Sequence, residues 1–187
     1  MTENRTINLV VDKIDEEFVV QTTFKEFKAP WGINDLEQTR FLLDSWLTNR
    51  SGYGTVIAYD GKTPVGFCLH APVLFREKIF FLSCGCTYKL GSREISVVSV
   101  EKERHGEGIG RLLVEKAIEQ SEQFSPPQMY ATCWRGKEGE SYWLFKKLGF
   151  TEFGVLEGHY ADKSNGIVVC KELERGTQRE RRHILYM

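Results

Sequence analysis

The spacing of hydrophobic positions changes along the chain, and each spacing predicts a different element. From Phe18 to Phe27, and again from Leu36 to Leu47, they recur at roughly helical intervals, which predicts two helices. Lys28 to Gly32 contains a proline and a glycine and predicts a break between them. The tract from Gly54 to Leu69 holds two strand-like runs around Asp60-Gly61, a pairing typical of a hairpin.

The second half of the chain predicts strands and helices in alternation. Helices are predicted from Ile109 to about Ala117 and at Ser141–Leu148, where Gly149 ends the second. Strands are predicted at Ile95–Val100, Met129–Trp134, Phe150–Leu156 and Ile167–Leu173. This order indicates a single α/β domain with a mixed sheet flanked by helices over residues 1–173, followed by a polar, arginine-rich tail over residues 174–187.

Composition narrows the class of protein. The 187 residues are 41% hydrophobic and 27% charged, which is ordinary for a soluble domain, and the net charge of −1 gives no electrostatic reason to expect nucleic acid or a membrane as a partner. The first residues lack the apolar core of a signal peptide, so we predict a cytoplasmic protein. We also expect a monomer or a homodimer.

The cysteines and histidines do not suggest a metal site. Five cysteines are an odd number, which predicts reduced thiols in this compartment. Cys84 and Cys86 are one residue too close for the usual CxxC spacing, and the four histidines are scattered. We therefore predict no metal.

A glycine-rich loop is the most informative chemical feature. Gly106, Gly108 and Gly110 directly precede a predicted helix, whose first N–H groups and positive dipole end suit a phosphate. One alternative is a dinucleotide-binding oxidoreductase. Its fingerprint is G-x-G-x-x-G directly after a strand, whereas this loop reads G-x-G-x-G and Glu101–His105 intervene.

Two segments resemble the GNAT superfamily of N-acyltransferases. VSVEKERHGEGIGRLL, from Val98 to Leu113, resembles the acyl-CoA signature of a strand, a glycine loop and a helix start. FKKLGF, from Phe145 to Phe150, resembles the second signature of that superfamily. The resemblance extends from about Val65 to Leu173.

The resemblance implies an acetyl-CoA-dependent N-acetyltransferase that acts on a primary amine of a small molecule or peptide by direct attack on the thioester. Loop amides would wrap the pyrophosphate, and backbone groups of Val98 and Val100 would bind pantetheine if the sheet splays there. The implied cofactor-binding residues are Val98, Ser99, Val100, His105, Gly106, Glu107, Gly108, Ile109, Gly110 and Arg111.

Three positions depart from the family pattern. His105 replaces the usual Arg or Gln, and Arg104 and Arg111 are candidates to supply charge instead. Phe145 stands where a tyrosine often protonates the thiolate, and Glu138 stands where asparagine is common. These changes keep open an alternative: a catalytically inactive acyl-CoA-binding regulatory module with the same fold.

Two ionisable residues are candidates for catalysis. Glu94 lies six positions before Val100 and matches the strand glutamate that acts as general base in the histone-acetyltransferase branch; otherwise it is a solvent-facing residue paired with Arg93. Tyr142 lies one helical turn before Phe145 and is either an acid or a packing residue.

The acceptor amine is not encoded in a motif that we can interpret. Trp31, Trp134 and Trp143 either line an acceptor pocket or pack in the core. The segments Lys28–Leu36 and Ala71–Ser92 are the candidates to define the acceptor. The tail arginines either contact the 3′-phosphate of the cofactor or are solvated.

Overall fold

A seven-stranded mixed sheet organises the protein. The computed structural model describes residues 6–48, 50–73, 89–134 and 139–173. Its strands are β1 (Ile7–Val11), β2 (Gly54–Asp60), β3 (Thr63–Pro72), β4 (Arg93–Val100), β5 (Gln128–Trp134), β6 (Thr151–Leu156) and β7 (Gly166–Glu172). Its helices are α1 (Glu16–Trp31), α2 (Leu36–Leu47), α3 (Ile109–Ser121) and α4 (Glu140–Lys147).

The strands lie in the order β1-β2-β3-β4-β5-β7-β6. Neighbouring strands pair antiparallel except β4 and β5, which pair parallel. The mixed α/β sheet with flanking helices confirms the predicted fold class. Cys84, Cys86, Glu138 and the tail over 174–187 lie outside the described residues.

The N-terminal region differs from the prediction in two ways. The edge strand β1 was not predicted, because only five residues pair with β2 and so short a strand has a weak period. Helix α1 continues through Pro30 to Trp31 instead of breaking at Lys28. Pro30 lies in the last turn, and Gly32, with φ 64°, ends the helix in the left-handed conformation.

Helices cover both faces of the sheet, and a bulge in β4 changes which face its side chains join. Ile95 packs with Leu113 of α3, whereas Val97 packs with Phe67 beneath α1 and α2. The register explains this, because Leu69 opposes Val97 and His70 opposes Ile95, which leaves Ser96 as an extra residue. Alternation along the strand places Glu94 on the face opposite Ile95.

A chain of hydrogen bonds that begins at the buried Arg93 and His70 fixes the start of β4. The Arg93 Nη2 donates to His70 Nδ1 at 2.9 Å, and His70 Nε2 donates to Gln120 Oε1 at 2.9 Å. The Gln120 amide in turn donates to the Asp12 carboxylate. Gly54 leaves the space for this ring, since a Cβ there would lie 2.2 Å from His70 Nε2. The chain ties β4 to β3, α3 and the end of β1.

The described residues include three cysteines, and they form neither a metal-binding cluster nor a membrane-spanning helix. Cys68, Cys133 and Cys170 are buried free thiols. Within the described ranges, no group of three His, Cys, Asp or Glu side chains is arranged to hold a metal ion. None of the helices described is long and apolar enough to cross a membrane.

The buried His70 makes stability depend on pH. Burial, reinforced by the charge of Arg93, lowers its pKa from 6.5 to about 4 in the folded protein. The neutral ring therefore contributes stability above pH 6.5, which is lost as the pH falls from 6.5 towards 4. We expect the free energy of unfolding, measured by urea denaturation, to fall across this window.

The variant His70→Gln removes the titrating ring and should flatten this pH profile, while lowering stability at neutral pH because the hydrogen bonds are remade imperfectly. Equal slopes for the wild type and His70→Gln would contradict the assignment.

Candidate active site

Strands β4 and β5 separate after three residue pairs. The pairs are Arg93 with Met129, Glu94 with Tyr130 and Ile95 with Ala131. The remainder of β4 pairs with β3, and the Glu101 N–H donates to the Val65 carbonyl at 2.9 Å. Because peptide groups alternate in direction along a strand, those of Val98 and Val100 face the opening. A cavity of about 1280 Å³ occupies this opening.

The glycine loop forms one end of the cavity. Gly106 and Gly108 have φ of 86° and 82°, a conformation that favours glycine, and a Cβ at either would meet no atom within 4 Å. The first intrahelical bond of α3 runs from the Leu112 N–H to the Gly108 carbonyl at 3.1 Å. The amides of Ile109, Gly110 and Arg111 therefore precede the ladder of hydrogen bonds, as an anion site requires.

Nine of the ten predicted cofactor-binding residues line the cavity: Val98, Ser99, Val100, His105, Gly106, Gly108, Ile109, Gly110 and Arg111. Glu107 is not among the lining residues. Its carboxylate accepts hydrogen bonds from Arg104 Nε at 2.9 Å, and Arg104 Nη1 donates to Asp60 Oδ2 at 2.8 Å. These bonds, to Glu107 first, raise the pKa of Arg104. Arg104 thus clasps the loop to the β2–β3 hairpin, and its charge is already neutralised by carboxylates.

His105 links the two sides of the opening. Its Nε2 lies 2.9 Å from the Val100 carbonyl oxygen, and its Nδ1 lies 3.0 Å from Glu140 Oε2 at the start of α4. The His105 ring therefore hydrogen-bonds to a carbonyl that was expected to bind pantetheine. The Val100 N–H and the peptide groups of Val98 remain directed into the opening.

The catalytic candidates occupy different surroundings. Glu94 is partly buried and lines the cavity where the strands part. Tyr142 is 3% exposed, is not among the lining residues and donates to the Glu152 carboxylate, which raises its pKa to about 12. Phe145 lines the cavity and packs on Phe150 with ring centroids 5.0 Å apart. The predicted acid role of Tyr142 has no support from its position.

Comparison with known proteins gives the family. The sequence profile of the acetyltransferase (GNAT) family matches residues 17–150. The chain belongs to the GNAT acetyltransferase family. This confirms the resemblance found in the sequence. A search of curated proteins found no match to the chain.

Solved GNAT structures share the fold at low sequence identity. Ribosomal-protein-alanine N-acetyltransferase from Brucella melitensis is 22% identical, with a TM-score of 0.67 over 90% of this chain and 99% of that one. Arabidopsis thaliana NAA60 in complex with acetyl-CoA is 17% identical, with a TM-score of 0.69 over 90% and 99%. Mosquito arylalkylamine N-acetyltransferase-like 5b is 16% identical, with a TM-score of 0.67 over 90% of this chain and 100% of that one.

The far end of the GNAT cavity has an aromatic wall that includes residues missed from the sequence. Trp31 and Trp134 belong to this wall, and Trp143 lines the cavity on α4, as one interpretation of the sequence predicted. His159 and Tyr160, between β6 and β7, also line it, with their rings 4.8 Å apart. Burial lowers the pKa of His159 and raises that of Tyr160. No local motif marks this loop; only the return of β7 beside β5 brings it to the site.

The clasp at Arg104 should control affinity for acetyl-CoA through Glu107. Arg104→Gln leaves the Glu107 carboxylate uncompensated beside the loop that is predicted to bind pyrophosphate. We expect affinity, measured by calorimetry at low salt, to fall by about tenfold, roughly 1.4 kcal/mol.

The double variant Arg104→Gln/Glu107→Gln tests whether charge is the cause. It removes the repulsion and should recover most of the affinity. If the double variant binds as weakly as Arg104→Gln, then Arg104 acts by holding the loop in place and not by neutralising Glu107.

Proposed function

We propose that this GNAT protein is an acetyl-CoA-dependent N-acetyltransferase that transfers the acetyl group to a primary amine by direct attack on the thioester. The observation that carries the proposal is the cavity between β4 and β5, with the glycine loop at one end and Glu94 where the strands part. This arrangement supports a phosphate-bearing donor and a base on one strand.

The cofactor-binding part of the proposal rests on the chain's own donors. Amides from Gly106 to Arg111 would hold the pyrophosphate, and the open space above Gly106 and Gly108 fits a group that approaches the backbone closely. The peptide groups of Val98 and the N–H of Val100 would hold pantetheine amides. Acetyl-CoA, when bound, supplies an activated acetyl thioester.

The chemical part of the proposal needs one proton acceptor. An alkylammonium with a pKa of about 10.4 must lose a proton before its nitrogen can attack, and Glu94 would accept that proton directly or through water. The nitrogen then bonds to the carbonyl carbon, and the C–S bond breaks with its electron pair on sulfur. The second proton of the attacking nitrogen would pass to that thiolate, directly or through water, which leaves a neutral amide and the CoA thiol. A backbone N–H of Val98 or Val100 would stabilise the negative charge that develops on oxygen.

A second candidate function follows from Phe145. This residue carries no transferable proton and is held in the core by Phe150. An acyl-CoA-binding module without turnover would tolerate that residue equally well. Binding of acetyl-CoA without release of CoA on a panel of amines would favour the module.

The glycine loop can be tested by a charge placed above it. Gly108→Asp directs a carboxylate into the proposed pyrophosphate site, and we expect acetyl-CoA affinity in calorimetry to fall at least about tenfold. Gly91→Asp is a matched control. Gly91 has φ 84° against 82° for Gly108, and a Cβ there also meets nothing within 4 Å. Equal affinities for two folded variants would exclude this loop as the phosphate site.

Glu94 can be tested by a substitution that keeps its shape. Glu94→Gln should lower kcat by about 10²–10⁴-fold at neutral pH, because the base is lost. It should leave acetyl-CoA affinity nearly intact and regain part of the rate at high pH, where more amine is already neutral. Glu101→Gln, one residue beyond β4, is the control. A near-normal kcat for Glu94→Gln from pH 6 to 9 would make the carboxylate structural.

A further inference from the structure

We infer that the acceptor is a primary amine that carries a second positive charge and no carboxylate, as diamines do. This inference rests on the proposed function and names the substrate class of the same site. Its basis is the division of the cavity into a cofactor end, whose charged residues have both signs, and an acceptor end, whose charged residues are carboxylates beside aromatic rings.

The two ends are separated along β4. The glycine loop follows the end of the strand, whereas Glu94 lies at its start, about 20 Å from Val100 at about 3.3 Å per residue. Glu94 faces away from Ile95 and α3, towards the side of the sheet that α1 and α2 cover. The acceptor end is therefore bounded by β4, by α1 and α2, and by the loop between β6 and β7.

Charge differs between these two ends. Around the loop and α4 the charged lining residues have both signs, and they are Arg104, His105, Arg111, Glu140 and Lys147. Carboxylates already pair with Arg104 and Arg111. At the acceptor end, Glu26 of α1 and Glu94 are the charged lining residues in the part of the chain that the structure describes. Burial holds the pKa of His159 below its ordinary value, so this ring is mainly neutral at neutral pH and adds little repulsion to a cation.

Glu26 is placed to receive a second ammonium group. Its side chain is 45% exposed at the rim, and its partner Lys25 lies 3.7 Å away with 74% exposure. Such exposed ion pairs contribute little, so an ammonium group can compete with Lys25 for this carboxylate. With Glu94 serving the reacting amine, the Glu26 carboxylate would attract a second ammonium group on the acceptor and repel an amino acid's carboxylate.

Aromatic rings that line the same cavity suit the body of such an acceptor. Phe27 and Trp31 lie with centroids 5.1 Å apart on α1, and Trp134 and Tyr160 lie 6.5 Å apart across the site. Asp162 accepts a hydrogen bond from the Trp134 indole at 3.1 Å and adds negative charge behind that ring. Ring faces pack against methylene groups and attract ammonium groups.

The test compares three acceptors with five-carbon chains. Cadaverine carries two amines, pentylamine carries one, and aminovalerate carries one amine and a carboxylate. We expect kcat/KM, measured as release of CoA from acetyl-CoA, to be at least about tenfold higher for cadaverine than for pentylamine, and lowest for aminovalerate. Added salt should narrow these differences.

Glu26→Gln identifies the carboxylate responsible. It should raise KM for cadaverine about tenfold, leave kcat nearly unchanged and leave pentylamine unaffected. Glu37→Gln on α2 is the control, because Glu37 is outside the lining residues. Equal losses with cadaverine and pentylamine would overturn the role of Glu26.

The remaining outcomes separate this inference from the proposed function. If the three amines react equally well, or if a peptide with a free N-terminus and no basic side chain is preferred to cadaverine, the inference fails and acetyl transfer stands. If acetyl-CoA binds but no amine releases CoA, the proposed function fails, and the inference fails with it.

Discussion

The parting of β4 from β5 is the constraint on which the site depends. Parallel strands normally satisfy each other's peptide groups, yet this pair ends at Ile95 and Ala131. The peptide groups of Val98 and Val100 then face a cavity, and groups taken from a ladder need new partners. His105 takes one of them, the Val100 carbonyl. The opening is thus a row of backbone donors and acceptors suited to an extended chain of amides.

Both ends of β4 are fixed by arginines, and each is fixed differently. Arg93 is buried, bonds to the Gly52 carbonyl and to His70, and stacks at 4.3 Å over the ring of Phe124. Arg104 uses carboxylates, Asp60 on the β2–β3 hairpin and Glu107 within the loop. Between the two arginines, the bulge at Ser96 places the side chains of Ile95 and Val97 on opposite faces of the sheet, where they pack in different hydrophobic clusters. A strand held at both ends can keep its open edge without a neighbour.

The sequence was sufficient for the elements that depend on local pattern. The glycines before α3 and the Asp60-Gly61 hairpin follow from local sequence, and the structure has both. The position of the Tyr142 side chain could not be predicted from local sequence. Whether its hydroxyl faces the cavity or bonds to Glu152 depends on how α4 packs against β6. His159 and Tyr160 were missed for a similar reason. They reach the site only because β7 inserts between β5 and β6.

The combination of a carboxylate at Glu94 and a phenylalanine at Phe145 is consistent with amine acetylation when the free energies of the two proton transfers are compared. At pH 7 an amine with a pKa of about 10.4 is neutral in only about one molecule in 2,500, so removal of its proton is a large part of the barrier. A thiol with a pKa of about 8.5 needs little help to leave, because at pH 7 its thiolate is only modestly disfavoured relative to the protonated thiol. A site that keeps a carboxylate and lacks the tyrosine therefore loses the less valuable of the two groups. The burial of Phe145 against Phe150 then adds packing to the second signature, and in the proposed reaction Glu94, on the β4 side of the opening, would accept the amine's proton.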